Sequence, residues 1–242
     1  MTVSSGDPVT EPDDAYSELP PPALLFDLDG TLIDSVYQHV IAWRAALSQL
    51  GIDLSVWRIH RRIGMSGGLF VAGLLRETGV QLTRAETRRL QDLHAEEYAA
   101  QLDSVRPLPG SRELLQALTR WEVPWAIATS GASATARPAL KLLGLPEDTP
   151  MITRDLVRRA KPDPDLFLAA AHLLDIEPRH AMVIGDSVWD LLAARRAGSL
   201  GVGLQSGGYG REELERAGAY RVYADPADLL NRIDELGVRQ PL

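Results

Sequence analysis

Apolar residues in this chain follow two rhythms, and the alternation between them predicts its elements. Short apolar runs that stop abruptly in polar or glycine residues occur at Ala23–Phe26, Val123–Thr129 and Ala181–Ile184, with weaker ones at Met151–Thr153, Val202–Leu204 and Arg221–Tyr223. Runs of about 4–8 such residues bounded by turn signals read as strands buried on both faces, the pattern of a parallel sheet. Elsewhere apolar positions recur three and four apart, as on one face of a helix. Val36, Val40, Trp43, Leu47 and Leu50 make such a stripe, opened by a capping-box pattern at Ser35–Gln38 and closed by Gly51. Ser55 precedes a shorter stripe at Val56, Ile59 and Ile63, and Ser66 precedes Phe70, Val71, Leu74 and Leu75, which stop at Gly79. A second capping box, Thr83–Glu86, opens a long segment toward Leu102. Farther on, Ser111 is predicted to cap a helix reaching Trp121, and a helix through Leu140 and Leu143 carries Pro138 as an early-helix proline. Further helices run through Phe167, Ala171 and Leu174, over Val188–Ala197 up to Gly198, and over Pro226–Leu236.

Repeated strand–helix units predict an α/β fold, a doubly wound parallel sheet with right-handed crossovers. From Val36 to Val105 no strand pattern occurs, so this stretch reads as an inserted helical lobe whose return is marked by the stiff Arg106-Pro-Leu-Pro-Gly110. The predicted organisation is a tail over 1–22, a core formed by 23–35 and 106–242, and a helical cap over 36–105. Polar, acidic and proline-rich composition makes the tail a disordered segment.

Composition narrows the function. A formal net charge of −8 argues against a broad nucleic-acid surface. The absence of cysteine excludes disulfides, thiol nucleophiles and thiolate metal sites. No apolar run approaches the ~20 residues needed to span a bilayer, and the start lacks the basic and apolar regions of a secretory signal. A cytoplasmic enzyme is expected, without membrane or nucleic-acid partners.

The chemistry gathers where strands end. The first strand runs into Asp27, and Asp29, Gly30 and Thr31 follow at once. Open parallel sheets bind ligands at that edge. Two carboxylates so close cannot both ionise cheaply without a cation, and a divalent metal answers this, with Asp27 as ligand and nucleophile and Asp29 as proton carrier. Gly30 permits a tight bend and close approach to an anion. On these residues alone an ordinary Asx-type turn is an equal alternative. Thr129-Ser130-Gly131 and Gly185-Asp186 end the other two clear strands, and a parallel sheet brings all three ends to one edge. Asp186 adds a third carboxylate, an oxygen set suited to Mg²⁺. Asp190, one helical turn on, is a candidate for holding a metal-bound water. Thr129 and Ser130 are candidates for binding phosphate oxygens. Lys161, one of only two lysines in the chain, can balance charge on a transferring phosphoryl group. Each feature alone has a bland reading as a turn, a loop or a surface lysine. Together and in this order they point to phosphoryl transfer.

The segments DLDGTLIDS (27–35), ATSG (128–131), KPDPDLF (161–167) and GDSVWD (185–190) resemble the four signatures of the haloacid dehalogenase superfamily. The resemblance spans about residues 24–203 and implies a Rossmann-like core with a helical cap inserted after the first motif. It also implies Mg²⁺ held by Asp27, the Asp29 backbone carbonyl and Asp186. Asp29, which the namesake dehalogenases lack, favours phosphate chemistry, and the pattern is most similar to the phosphoglycolate-phosphatase-like and β-phosphoglucomutase-like branches. The expected activity is a Mg²⁺-dependent phosphatase acting on a small phosphorylated metabolite through an aspartyl-phosphate. A phosphomutase is the alternative, weakened by Ile63 where that branch has a lysine and by Gly185 where it has a carboxylate. A catalytically silent binding protein is the third possibility. Candidate substrate contacts in the cap are His39, Arg61 or Arg62, and Ser66, against simpler readings of Ser66 as a helix cap and Arg61 as a surface charge. Gly30, Thr31, Ser130 and Gly131 are the candidate phosphate loop. A monomer or homodimer is expected.

Overall fold

The computed structural model describes residues 22–239, so the predicted tail lies outside the described residues apart from Pro22. The elements, in chain order, are β1 (Ala23–Phe26), β2 (Ile33–Asp34), α1 (Val36–Gln49), α2 (Val56–His60), α3 (Gly67–Thr78), α4 (Arg84–Ala99), β3 (Arg106–Pro107), α5 (Ser111–Arg120) and β4 (Trp125–Ala128). They continue with α6 (Ser133–Leu143), β5 (Met151–Ile152), α7 (Asp165–Leu173), β6 (Ala181–Gly185), α8 (Val188–Ala197), β7 (Leu200–Leu204), α9 (Arg211–Ala217), β8 (Ala219–Tyr223) and α10 (Pro226–Asn231). Six strands form one parallel sheet in the order β5-β4-β1-β6-β7-β8, as the alternation predicted. The order steps outward from β1 in both directions, which puts a switch point, and hence a crevice, at the ends of β1, β4 and β6.

Each sheet face carries its own apolar layer, which explains why the strands read as unbroken apolar runs. Leu24 and Phe26 of β1 pack with α5, α6 and α10, whereas Leu25 points the other way toward α7 and α8. All four β1 residues are fully buried. A third cluster, built from Val40, Trp43, Leu47, Ile59, Phe70 and Leu90, lies within α1–α4, so those helices hold together on their own apolar faces. The helical stretch leaves and rejoins the sheet domain through a two-stranded antiparallel ribbon, Ile33 opposite Pro107 and Asp34 opposite Arg106. No helix among the described residues is long and apolar enough to cross a membrane.

Several local expectations are corrected. Ser35 occupies the start of α1 but makes no capping bond; its hydroxyl donates to Asp29 Oδ1 at 2.6 Å. The cap of α5 is Gly110, not Ser111, which is already helical. Pro138 sits in the middle of α6, and the carbonyl freed by its missing N–H belongs to solvent-exposed Ala134. The second strand is shorter than 123–129, because the Val123 N–H closes the end of α5 on the Leu118 carbonyl. The last helix divides into α10 and a 3₁₀ turn at Ile233–Leu236. Helix α9 was not anticipated, since Leu214 is its sole buried residue and gives no stripe.

Candidate active site

Neighbouring strands β4, β1 and β6 deliver Thr129, Asp27 and Asp186 to one edge of the sheet. A cavity of about 310 Å³ opens there. Asp27, Asp29, Thr129, Ser130 and Gly131 line it from the sheet side; His39 and Arg62, with Trp43, Phe70 and His94, line it from the helical side. Lys161 and Asp186 are nearly or wholly buried. Carboxylate oxygens of Asp27, Asp186 and Asp190 all lie within 4.8 Å of one another.

The electrostatics of this cluster are unbalanced. Lys161 Nζ donates to Asp27 Oδ1 and stands 2.8 Å from Asp190 Oδ1, so one ammonium faces three buried carboxylates. Burial pushes the Asp27 carboxyl up to about 7, with Asp190 and Asp29 adding to the rise and Lys161 opposing it. Asp186 is driven well above the usual carboxylate range, by burial first and then by Asp190 and Asp27. Burial pulls Lys161 down, but its two carboxylate partners outweigh it and the ammonium is held charged. Hard oxygen donors, close together and short of positive charge, are the donor set that Mg²⁺ prefers, so these residues fit the ion.

Asp29 differs from its neighbours. Its Oδ1 receives the Ser35 hydroxyl and lies 3.2 Å from His39 Nε2. Burial would raise its carboxyl, yet the charge and hydrogen bond of His39, with Ser35, hold it below the ordinary value. Since an ionised carboxylate only accepts, Nε2 of His39 is the donor. His39 Nδ1 in turn meets His94 Nε2 at 3.1 Å, and the Tyr98 ring stacks on His39 with centroids 3.8 Å apart.

Other expected site residues have different surroundings. Asp190 accepts from the N–H and hydroxyl of Ser187 at the start of α8, at 3.1 and 2.5 Å, so its carboxylate is committed to that cap and to Lys161. Thr31 is fully buried and donates to Asp186 Oδ1 at 3.2 Å rather than lining the cavity. Gly30 adopts φ +83°, and a Cβ there would meet Asp186 Oδ2 at 2.6 Å; the close approach is to a carboxylate of the protein. Thr129 Oγ1 accepts from the Gly131 N–H at 3.0 Å, which leaves its own hydrogen free to donate. The Ser130 hydroxyl donates to the Gly64 carbonyl at 3.0 Å, tying the sheet edge to the loop before α3. Ser66 caps α3 and lies outside this cavity. Arg62 lines the cavity, but its guanidinium is bound to Glu77 and to the Arg58 carbonyl. Arg61 pairs with Glu213 and covers the Tyr209 ring.

Sequence reasoning missed Gly207, where a Cβ would fall 1.7 Å from Asp186 Oδ2. It follows β7, whose carboxyl end belongs to the same edge, so the pair Gly207-Gly208 after that strand was the available signal. Trp43, Phe70 and His94 were missed as cavity residues because their spacing reads equally well as core.

Fold and site together define a doubly wound α/β enzyme with a carboxylate centre at the carboxyl edge of its sheet. The family model for haloacid dehalogenase-like hydrolases matches residues 21–198. Hexitol phosphatase A of Escherichia coli is 34% identical over 177 residues, covering 72% of this chain and 78% of that protein. Phosphoglycolate phosphatase of Rhodospirillum rubrum is 32% identical over 230 residues, covering 91% of this chain and 93% of that protein. The crystal structure of a hydrolase from Pseudomonas syringae superposes with a TM-score of 0.87 at 52% identity, covering 88% of this chain and 98% of the other. The chain belongs to the haloacid dehalogenase-like hydrolases.

Proposed function

We propose that this hydrolase is a Mg²⁺-dependent phosphatase that cleaves a small-molecule phosphate monoester through a phosphorylated Asp27. The observation that carries this is the position of Asp27: its carboxylate lines the cavity, is gripped from beneath by Lys161, and has Asp29 and Thr129 beside it. Asp27 attacks phosphorus while the leaving oxygen takes a proton from Asp29, which must first take that proton up, since His39 and Ser35 hold it ionised in the free site. Asp29 then removes a proton from the water that hydrolyses the acyl phosphate. The Thr129 hydroxyl and the Ser130 N–H hold phosphoryl oxygens through both steps. Asp27, Asp186 and, by family resemblance, the Asp29 carbonyl would hold Mg²⁺, which supplies the positive charge needed for a carboxylate to approach a phosphate. Residues 36–105 act as a cap, since the cavity takes one wall from them and the other from the sheet edge.

A volume of about 310 Å³ suits a small metabolite, and relatives named for hexitol and phosphoglycolate phosphatase activity support the same range. Two features favour hydrolysis over the mutase reaction. Ile63 stands before Gly64 where the mutase branch has a lysine, and a Cβ on Gly185 would lie 2.3 Å from Asp190 Cβ, leaving no room for a carboxylate side chain.

The test is phosphate release from p-nitrophenyl phosphate and a panel of sugar and hydroxy-acid phosphates. Turnover is expected with Mg²⁺ and loss of at least about 100-fold in EDTA. Failure to release phosphate from any ester overturns the assignment.

The raised carboxyl of Asp27 makes a second measurement informative. A folded value of about 7 against an unfolded 3.8 means that its contribution to stability is full below 3.8 and lost as pH rises through about 7. Asp29, held low, acts in the opposite sense and only below 3.8, outside the working range. In EDTA the thermal midpoint should therefore fall between pH 5 and pH 8, and Mg²⁺ should raise it more at pH 8 than at pH 5. The Asp27→Asn variant should show a flatter fall; an equal slope in that variant would assign the effect to other groups.

A further inference from the structure

We propose that Arg154 recognises a second anionic group on the substrate, a carboxylate or second phosphate carried a few carbons from the ester that is cleaved. Given the phosphatase activity proposed above, this assigns the selectivity of the same cavity to a residue that none of the four motifs contains. Arg154 follows β5, and its N–H donates to the Gly131 carbonyl at 3.1 Å. The residue is thereby fixed to the loop carrying Thr129 and Ser130, one side-chain length from where the ester phosphate would bind.

The Arg154 side chain lines the cavity that holds Asp27 and also an adjoining hollow of about 500 Å³ bounded by Ser66, Gly68, Leu69 and Arg158. Among the described residues no carboxylate pairs with it. Of the other arginines nearby, Arg62 is taken by Glu77, Arg61 by Glu213, and Arg159 by Asp163 and Asp165, while Arg158 lines the adjoining hollow and not the cavity that holds Asp27. Asp155, the adjacent carboxylate, is turned to the Ser133 N–H at 2.6 Å. Opposite the guanidinium stands Gly68, where even an added Cβ would lie 4.0 Å from Nη2, so no side chain closes the space in front of it. Trp43 and Phe70, stacked with centroids 4.1 Å apart, line the same cavity and offer an apolar wall for a short carbon skeleton. A guanidinium without an internal partner at the mouth of a phosphate site gives a bidentate docking point for carboxylate or phosphate oxygens.

The experiment uses the full chain with Mg²⁺ and two matched pairs of esters: 3-phosphoglycerate against glycerol 3-phosphate, and fructose 1,6-bisphosphate against fructose 6-phosphate. Wild type is expected to favour the more anionic member of at least one pair by about 10-fold or more in kcat/KM. Arg154→Ala should bring that ratio toward one, mainly through KM, and Arg154→Lys should recover part of it. A ratio lost in the first pair identifies a carboxylate, and in the second a phosphate. If wild type turns over p-nitrophenyl phosphate but shows no preference in either pair, or keeps its preference in Arg154→Ala, the role of Arg154 is refuted and the phosphatase assignment stands. If wild type hydrolyses no ester, both fall.

Discussion

Asp27→Asn is expected to lower kcat for phosphate release by about 10⁴-fold or more, a loss typical of removing the attacking group itself. Asparagine keeps the shape of the side chain and cannot form an acyl phosphate. It also removes one of three carboxylates crowded around Lys161, so the chain should fold at least as stably as wild type in the absence of metal. Phosphate release and thermal midpoints measured together separate the two effects. Activity within 10-fold of wild type, in a preparation free of contaminating phosphatase, would mean that another group attacks phosphorus.

Lys161→Met should be costly in a different way. The ammonium is fully buried, hydrogen-bonded to Asp27, 2.8 Å from Asp190 and 5.1 Å from the centre of the Phe167 ring. Methionine fills much of the volume but leaves two carboxylates unpaired, a defect worth about 3–5 kcal/mol in other buried ion pairs. Without the opposing charge the Asp27 carboxyl rises further, so its protonation relieves the defect. The destabilisation should therefore be larger at pH 8 than at pH 5. Activity should fall by about 10³-fold even where the protein remains folded, because the carboxylate proposed to attack phosphorus is then protonated and misoriented. Urea unfolding at the two pH values reads the first effect, and kcat under folding conditions reads the second. Equal unfolding free energies for variant and wild type at pH 8 would show that the buried pair contributes nothing net.

The parts of this molecule that could be read beforehand are those where one physical demand dominates. Residues 23–26 must be apolar on both sides because helices cover both faces of β1, and that leaves an unmistakable run. The strand-end residues Asp27, Thr129 and Asp186 could be assembled without coordinates, because parallel strands share an edge. Polar side chains with two rival partners were harder. Ser35 had the spacing of a helix cap and gave its hydroxyl to Asp29 instead, a competitor six residues upstream that local pattern does not weigh. Thr31 and Gly30 looked like phosphate contacts because they follow the first aspartate, yet both serve Asp186, 155 positions from Thr31 in sequence. Arg62 was expected to be available to substrate, and Glu77 on the far end of α3 binds it. Such outcomes depend on which distant residue arrives nearby, and short-range spacing carries no record of that.

The ribbon formed by β2 and β3 has a consequence for how such a protein can diversify. Since Ile33 lies opposite Pro107 and Asp34 opposite Arg106, the chain departs and comes back at almost the same point. The 70-odd intervening residues are thus joined to the chain of the sheet domain at one narrow stalk, and a replacement of another size would impose little added closure entropy and no change of strand pairing. Descendants of one ancestral sheet can in this way trade helical insertions of different size while the carboxylate-bearing edge is inherited intact.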